Sequence, residues 1–549
     1  MATFVAALVV IVGPRDFAWS HGFMIGGSGA QTVNGHPLAL GDHLQTTYFM
    51  WLWWHALTTR SHIPMVDPFQ FALTGHRTVV LAGWPLVLVS IPVTAIAGPV
   101  AAFNAVVVVS FVATASCAYL LASRLGITRA GATVVAFGYA FAPYRFIQAG
   151  HIGTYLGFLP PLVLYLADRA IREERDNVRW AIGCILTYVS LVISGELHIL
   201  LYTTAVFASF VVIRSIGVPR ERLRSLAPAA IALVLLSGLC VGAIYHFILA
   251  PSPHNTNAVS IDVAPLYAPR IANLFHPRLA TEQYDYPGAV IALLALIGGI
   301  QGLRSSKRRR LVLWLGAVVA VSYLLAMAPG WSPAFHIFKL LPFSGFIRVP
   351  GRILVAAVLA LGLLAGFGVT VLERRLPSWV VLPIVLVLLV ADVRPEAGAF
   401  SYTAAGHNVL KAVPKGAAVM DLPPFPPFHH GASRYMLDLT RHPGPRANGY
   451  NVLAPEAVWD GQQRTWVLAK LPVDPCAWKK LSDRMHFRYT AVHADLFGPP
   501  PLWPIDQMEA YPVTGAALDS SLDKTPGFHR LSVIDDTTVY RIVPAELRC

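Results

Sequence analysis

The chain has 549 residues, 55% hydrophobic and 13% charged, with a mean hydropathy of +0.56. Soluble domains carry about 25% charged residues, so this composition excludes an ordinary cytosolic enzyme, a disordered protein and a collagen-like fibre. The formal charge of +13 does not call for nucleic acid, because Lys and Arg accumulate in the cytoplasmic loops of membrane proteins.

A span needs about 20 mostly apolar residues. Residues 2–13 are apolar but short, and Met1 stands almost directly against them. They lack a basic n-region and an Ala-x-Ala cleavage site. They read as a first span, in a chain whose start codon was placed late. Further apolar runs lie at 101–123, 130–147, 154–171, 180–195, 197–213, 226–249, 288–303, 311–328, 352–372 and 379–393. About 11 spans follow. Residues 78–98 are also apolar, but Pro85, Pro92 and Gly98 divide them, and a crossing there would put Arg124 and Arg129 on the wrong face. Interfacial or re-entrant helices are expected.

The loops at 124–129, 169–179, 214–224, 304–310 and 374–375 hold 17 Lys and Arg, against 6 in the longer intervening loops 143–152, 250–287 and 328–352. The first set is expected in the cytoplasm, with the N-terminus. The loop 14–76 and everything beyond about 393 then lie outside. The expected fold is a mainly α, polytopic membrane helical bundle over 1–395, whose first outer loop covers 14–100. A small C-terminal α/β extracytoplasmic domain occupies 396–549. Strands are predicted at 417–422, 489–493 and 537–543, and helices near 405–412, 455–470 and 475–485.

Of the five cysteines, none in Cys-x-x-Cys spacing, Cys476 and Cys549 alone fall on the oxidising side, so they are a candidate disulfide. Cys117, Cys184 and Cys240 sit in spans as small apolar residues. The pair His429–His430 has no further ligands at metal spacing, and no metal site is expected. No Walker loop, dinucleotide fingerprint or nucleophile elbow is present.

The first outer loop carries the densest chemistry. Gly41-Asp42-His43 precedes an aromatic helix with Tyr48, Trp51, Trp53, Trp54 and His55, and Asp67-Pro68 follows. An isolated Asp ahead of a helix reads first as an N-cap, and Trp and Tyr favour the interface. Here Asp42 stands where the first span emerges, and Tyr48, Trp51 and Trp54 suit a lipid headgroup or sugar ring.

These residues resemble those of the glycosyltransferase-C superfamily, bacterial polytopic proteins that use polyprenyl-phosphate-linked sugars. The resemblance rests on Gly41-Asp42 with Trp51, Trp53, Trp54 and His55, on Phe141-Ala-Pro-Tyr-Arg145 followed by Gly150-His151, and on Phe346-Ile-Arg-Val-Pro-Gly-Arg352. In the tail it rests on Met420-Asp421-Leu422-Pro423, Asn448-Gly449-Tyr450 and the strand ending at His493. It covers most of the chain and suits the poorly characterised branch. The paired carboxylates common in the family's first outer loop are reduced here to Asp42 followed by His43.

The resemblance implies a membrane glycosyltransferase, a hexosyl- or pentosyltransferase, acting in the bacterial cytoplasmic membrane. The donor would be a polyprenyl-phosphate sugar, with no further cofactor. A glycan, lipid or protein would be the acceptor, and membrane lipid, not nucleic acid, the surroundings. The residues fit this chemistry. Transfer needs a carboxylate base near the acceptor hydroxyl, for which Asp42 is the candidate. It also needs cations on the departing phosphate, where Arg offers a bidentate fork; Arg348, Arg352 and Arg145 are the candidates. Interfacial snorkelling is the competing reading for the arginines. His43, Asp67, His151 and Glu196 form a second rank, with Asp67 reading as a turn residue and Glu196, next to His198, as part of a tight turn between spans. A lipid or polysaccharide transporter and a non-catalytic envelope assembly factor are the rival functions. No internal repeat favours the transporter.

Overall fold

The computed structural model describes residues 23–25, 31–33, 36–38, 41–75, 78–79, 83–142, 145, 155–173, 175–246, 264–275, 286–340, 347, 349–393, 401–403, 408–427, 429–449, 454, 456–497 and 513–549. The expected span at 2–13 lies outside them, as do His151 and Arg348.

Ahead of the bundle lie α1 (Asp42–Thr59) and the short antiparallel pair β4 (Val66–Asp67) and β5 (Thr78–Val79). Each of the ten later apolar runs then holds a helix: α2 (Val87–Arg124), α3 (Arg129–Ala140), α4 (Leu159–Arg172), α5 (Asn177–Ile193), α6 (Leu197–Ser215), α7 (Ala227–Ile244), α8 (Ala289–Arg304), α9 (Arg309–Met327), α10 (Leu354–Leu372) and α11 (Ser378–Val393). In hydrocarbon a helix is favoured because it satisfies its own backbone. Among the described residues, five helical segments are long and apolar enough to cross a membrane: Val87–Arg124, Leu197–Ser215, Arg220–Ile244, Arg309–Gly330 and Pro350–Leu372. The protein is a multi-pass membrane protein.

The segment 78–98 behaves as its breakers predict in one place and not in another. α2 is two helices joined at Gly98, whose φ of +86° and ψ of 172° no helix accommodates. Pro92, by contrast, lies inside the first arm. α10 is the centre of the bundle, buried at every residue from Gly362 to Thr370. It reaches that position because glycine lets backbones touch. A Cβ on Gly298 of α8 would lie 2.0 Å from the Leu364 carbonyl oxygen, and one on Gly368 would lie 2.1 Å from that of Leu294. Small residues at such crossings are how membrane helices gain packing without a hydrophobic driving force. α7 is the opposite case, with no buried residue.

All five basic loops meet at one end of this bundle. The buried Asp168 carboxylate accepts from Arg124 Nε at 2.6 Å and Arg214 Nε at 2.5 Å. Glu173 accepts from Arg124 Nη1 at 2.9 Å. Arg172 and Arg222 donate to the Ile216 and Arg172 carbonyls, Arg308 donates to that of Gly126, and Thr128 hydrogen-bonds Glu373. The loops that separate in sequence by charge thus separate in space as well.

The C-terminal region contains a four-stranded sheet ordered β7–β8–β10–β9, formed by β7 (Val419–Leu422), β8 (Tyr489–His493), β9 (Phe528–Ile534) and β10 (Thr537–Ile542). β7 and β8 run parallel and the other pairs antiparallel. Around it lie α12 (Ser433–Arg441), α13 (Glu456–Gln463), α14 (Pro475–Met485) and α15 (Gly515–Leu522). The three predicted strands and the helix at 475–485 are present. Residues 408–413 form turns instead of the expected helix, and β9, α12 and α15 went unread. A second sheet crosses the expected domain boundary. Its strand β6 (Ser401–Thr403) pairs with β1 (Phe23–Ile25) and β3 (His36–Leu38), and β3 with β2 (Gln31–Val33). Residues 401–403 therefore belong with residues 23–38 rather than with the C-terminal sheet.

Candidate active site

α1 begins without a side-chain cap. Gly41 occupies the N-cap with φ +76° and has no side chain to bond the N–H groups of the first turn. The start of the helix is held from outside instead. Gly41 N–H donates to Ser433 Oγ at 2.7 Å, across 392 residues of sequence. The His430 ring fills the space a Cβ would take, with Cδ2 2.2 Å from that position. Only glycine fits, on both conformational and steric grounds.

Asp42, the first residue of α1, is partly exposed. It and Arg145 both act electrostatically on Tyr155, which is fully buried. Arg145 is 3% exposed. Its Nη2 donates to Ser110 Oγ at 3.0 Å, and its guanidinium lies 4.6 Å from the Phe111 ring centre. Ser110 in turn donates to the Tyr155 carbonyl at 2.7 Å. His43 sits with its ring 5.7 Å from that of Phe103. Phe103 in turn meets Tyr155 with ring centres 5.8 Å apart, so Asp42, His43 and Arg145 gather around one region although Asp42 and Arg145 lie more than 100 residues apart in sequence.

An apolar groove of about 580 Å³ lies between α6, α9 and α10, lined by residues such as Tyr202, Val206, Trp314, Val318 and Phe338. Pro350 and Ile353, which flank Arg352 on its short turn, also line it. Tyr202, Val206 and Ala356 are shared with a smaller cavity, which shares Ile199 and Val355 with another that Arg145 and Tyr139 line. These two voids, of about 10 Å³ each, lie between the residues that line the groove and Arg145. Glu196 ends the turn before α6 and His198 stands in the first turn of that helix, both partly buried, with His198 Nδ1 3.2 Å from Glu196 Oε1. That turn is the one the sequence predicts.

Two expectations need correction. Tyr48 is 0% exposed and Trp51 2%, so neither offers a face to a sugar or lipid. Their rings stack on each other, centroids 5.6 Å apart, and pack with Phe425, Tyr435 and Met436 beneath α12. Trp54, partly buried, borders the same cluster. Asp67 is likewise committed to structure. Oδ1 accepts from Tyr48 Oη at 2.8 Å and from the Phe69 and Gln70 N–H groups at 2.9 and 3.1 Å, while Oδ2 accepts from Gln70 Nε2 at 2.5 Å. Burial pushes its carboxyl above the usual range, against the pull of these donors.

The tail motifs join the same seam. Arg446 N–H donates to the Phe69 carbonyl at 2.9 Å, and Leu73 N–H to that of Arg446 at 3.0 Å. A Cβ on Gly449 would lie 2.5 Å from Gln70 Oε1. Beneath this contact Arg446 and Asp421, both 0% exposed, form an ion pair at 3.4 Å. His493 Nε2 lies 3.3 Å from the same carboxylate, and Asn448 Nδ2 donates to the Asp421 carbonyl at 2.6 Å. Removing one partner of such a pair leaves a buried charge uncompensated. Arg446→Met should cost about 3–5 kcal/mol, read as a lowered unfolding midpoint of the purified protein. Arg446→Met/Asp421→Leu should be less destabilised than Arg446→Met alone; equal or greater loss in the double variant would contradict the account.

Cys476 and Cys549, both exposed thiols, lie side by side; the hydrogen bond to Cys549 raises the Cys476 thiol above its ordinary value. A bridge would close a loop of more than 70 residues and add at most about 4 kcal/mol. Protein isolated without reductant should yield the cross-linked peptide in mass spectrometry. Full alkylation of both cysteines before reduction would rule the bridge out.

No protein-family model matches the chain, and comparison with curated proteins returned no match. Solved structures do match. Arabinofuranosyltransferase AftD from Mycobacteria aligns over 98% of this chain with a TM-score of 0.57 and 15% identity; this chain spans 41% of AftD. The oligosaccharyltransferase of Archaeoglobus fulgidus aligns over 96% of this chain and 73% of its own, with TM-score 0.49 and 10% identity. ArnT from Cupriavidus metallidurans aligns over 100% and 98%, with TM-score 0.48 and 12% identity. The last two are looser matches, and the assignment rests on the first. At this identity the likeness is one of fold, and the chain shares its polytopic fold with the matched part of AftD.

Proposed function

We propose that the protein is an integral-membrane glycosyltransferase that moves a sugar from a polyprenyl-phosphate carrier to an acceptor on the outer face of the bacterial cytoplasmic membrane. The observation that carries this reading is the buried Arg145, tied through Ser110 to Tyr155, with the start of α1 at Asp42 and His43 on the Phe103 side of the same tyrosine and an apolar groove open between α6, α9 and α10. The fold shared with AftD, itself an arabinofuranosyltransferase, supports it. An apolar groove suits an isoprenoid tail, and a buried guanidinium suits the phosphate it ends in.

In this reading Asp42 takes the proton from the acceptor hydroxyl as that oxygen bonds to the anomeric carbon. The bond from that carbon to the phosphate oxygen breaks, and the electron pair leaves with the carrier phosphate. Arg145 balances the charge that develops there. Arg352, beside the groove, and Arg348 are further candidates for the phosphate. The single displacement inverts the anomeric centre, and it calls on no metal or cofactor. His43 and Glu196 remain second-rank groups. A lipid flippase or an assembly factor would need neither the base nor the proton transfer.

The reading extends to about 11 spans, with the N-terminus and basic loops in the cytoplasm and the C-terminal domain outside. An alkaline phosphatase fused after Cys549 should then be active; activity of a cytoplasmic reporter at that point would overturn the orientation. For the chemistry, full-length protein in nanodiscs is supplied with a panel of radiolabelled undecaprenyl-phosphoryl sugars, arabinofuranose included, and membranes as acceptor. Wild-type protein should release undecaprenyl phosphate. Asp42→Asn should lose at least about a hundredfold in rate, the scale of a general-base contribution, with undecaprenyl phosphate binding unchanged. Arg145→Ala should weaken that binding by about tenfold or more, the loss of one charged hydrogen bond. Full activity in Asp42→Asn would favour the flippase or assembly reading.

A further inference from the structure

The Asp42 site is not completed by the membrane bundle. We infer that His430, from the C-terminal domain, is a positioning residue for Asp42, acting through the backbone of Gly41. The inference rests on the glycosyltransferase reading above.

A helix start is ordinarily fixed by a Ser, Thr, Asp or Asn at the N-cap, whose side chain accepts from the next turn. α1 has Gly41 there and no such bond. Gly41 is also the residue type with the most conformational freedom to lose. Left to itself, the turn that aims Asp42 would be loose. Two C-terminal side chains supply what the sequence omits. Ser433, fully buried, accepts the Gly41 N–H, and its hydroxyl donates to the His430 carbonyl at 2.6 Å. The His430 imidazole covers the Gly41 α-carbon on the side a Cβ would occupy. Together they clamp Gly41 from two directions.

The clamp is itself rigid. His429, 2% exposed, stacks on Phe425 with centroids 4.2 Å apart and planes within 2°, and its Nδ1 accepts from Gly431 N–H at 3.1 Å. Tyr435 Oη donates to the Pro423 carbonyl at 2.7 Å. In the His429–His430 pair, His429 is spent on holding this turn. His430, partly exposed like Asp42, is the one whose ring is presented to the neighbouring domain. A carboxylate acting as a base loses rate steeply when its direction drifts, because proximity and orientation carry much of catalysis. Such a residue should alter turnover while leaving the carrier site untouched, since the groove and Arg145 belong to other elements.

The test uses the full chain in nanodiscs with the undecaprenyl-phosphoryl sugar on which the wild type turns over, and undecaprenyl phosphate as binding probe. His430→Ala should lower kcat tenfold or more, with KM for the donor and Kd for undecaprenyl phosphate within twofold. His430→Gln, which restores planar polar bulk, should recover at least a third of the wild-type kcat. Gly41→Ala should be impaired through collision with the same ring, so Gly41→Ala/His430→Ala should be no slower than Gly41→Ala alone. Wild-type kcat in His430→Ala, or losses that multiply in the double variant, would overturn the inference. So would a loss in kcat matched by equal weakening of undecaprenyl phosphate binding and a lowered unfolding midpoint, the mark of general damage. Asp42→Asn is the separate control: if it turns over normally, the function is wrong; if it is dead while His430→Ala is normal, the clamp alone is wrong.

Discussion

The docking of α1 against α12 is the contact on which the site depends. Its core is aromatic and apolar: Tyr48, Phe49, Trp51 and Leu52 from α1 meet Phe425, Tyr435, Met436 and Leu439 from the C-terminal domain. Aromatic side chains bury large areas and add specific ring geometry, so a few of them can hold an 18-residue helix that has no cap of its own. Because α1 also packs on α2, the contact ties the C-terminal domain to the bundle. Asp42 lies at the end of this seam, where both parts can reach it.

Buried charge appears at both ends of the molecule, and each instance joins segments distant in sequence. Asp168 gathers Arg124 and Arg214 where the basic loops meet. Asp421 gathers Arg446 and His493 under the first outer loop. Ion pairs withdrawn from water gain little net stability, because desolvation offsets attraction. They are, however, intolerant of misplacement. An apolar bundle sliding along its own ridges changes its packing energy gradually, whereas Asp168 moved by one turn would strand three charges. Here the polar clusters fix register and the apolar surfaces provide adhesion.

The resemblance residues divide accordingly. Asp421, Asn448, Gly449 and His493 are explained by the seam, since they pair, bond or make room for Arg446 and Gln70. Tyr48 and Trp51, which look like sugar-stacking residues in a linear reading, are the adhesive of the same seam. Asp42, His43 and Arg145 are left around Tyr155. A motif in a polytopic chain can therefore mark the scaffold of a site as readily as its chemistry, and the partners of each side chain tell the two apart.

The sequence by itself determined the membrane class, the ten described helical runs and the grouping of the basic loops, because each follows from local apolarity or from a count of charges. It also located the strands β7, β8 and β10, whose β-branched and apolar residues lie between turn formers, and the turn at Glu196. It could not reveal that Gly41 is held by Ser433 and His430, that Trp51 is buried, that 401–403 pair with 23–25, or that Arg446 sits under Gln70. Each of these joins residues from opposite parts of the chain, and no local propensity encodes a partner hundreds of residues away. Amphipathic residues such as Tyr and Trp suit a membrane interface and a domain interface equally well by composition. Only the tertiary structure decides which surface meets them, because that choice is made by shape and by which charges must be neutralised together.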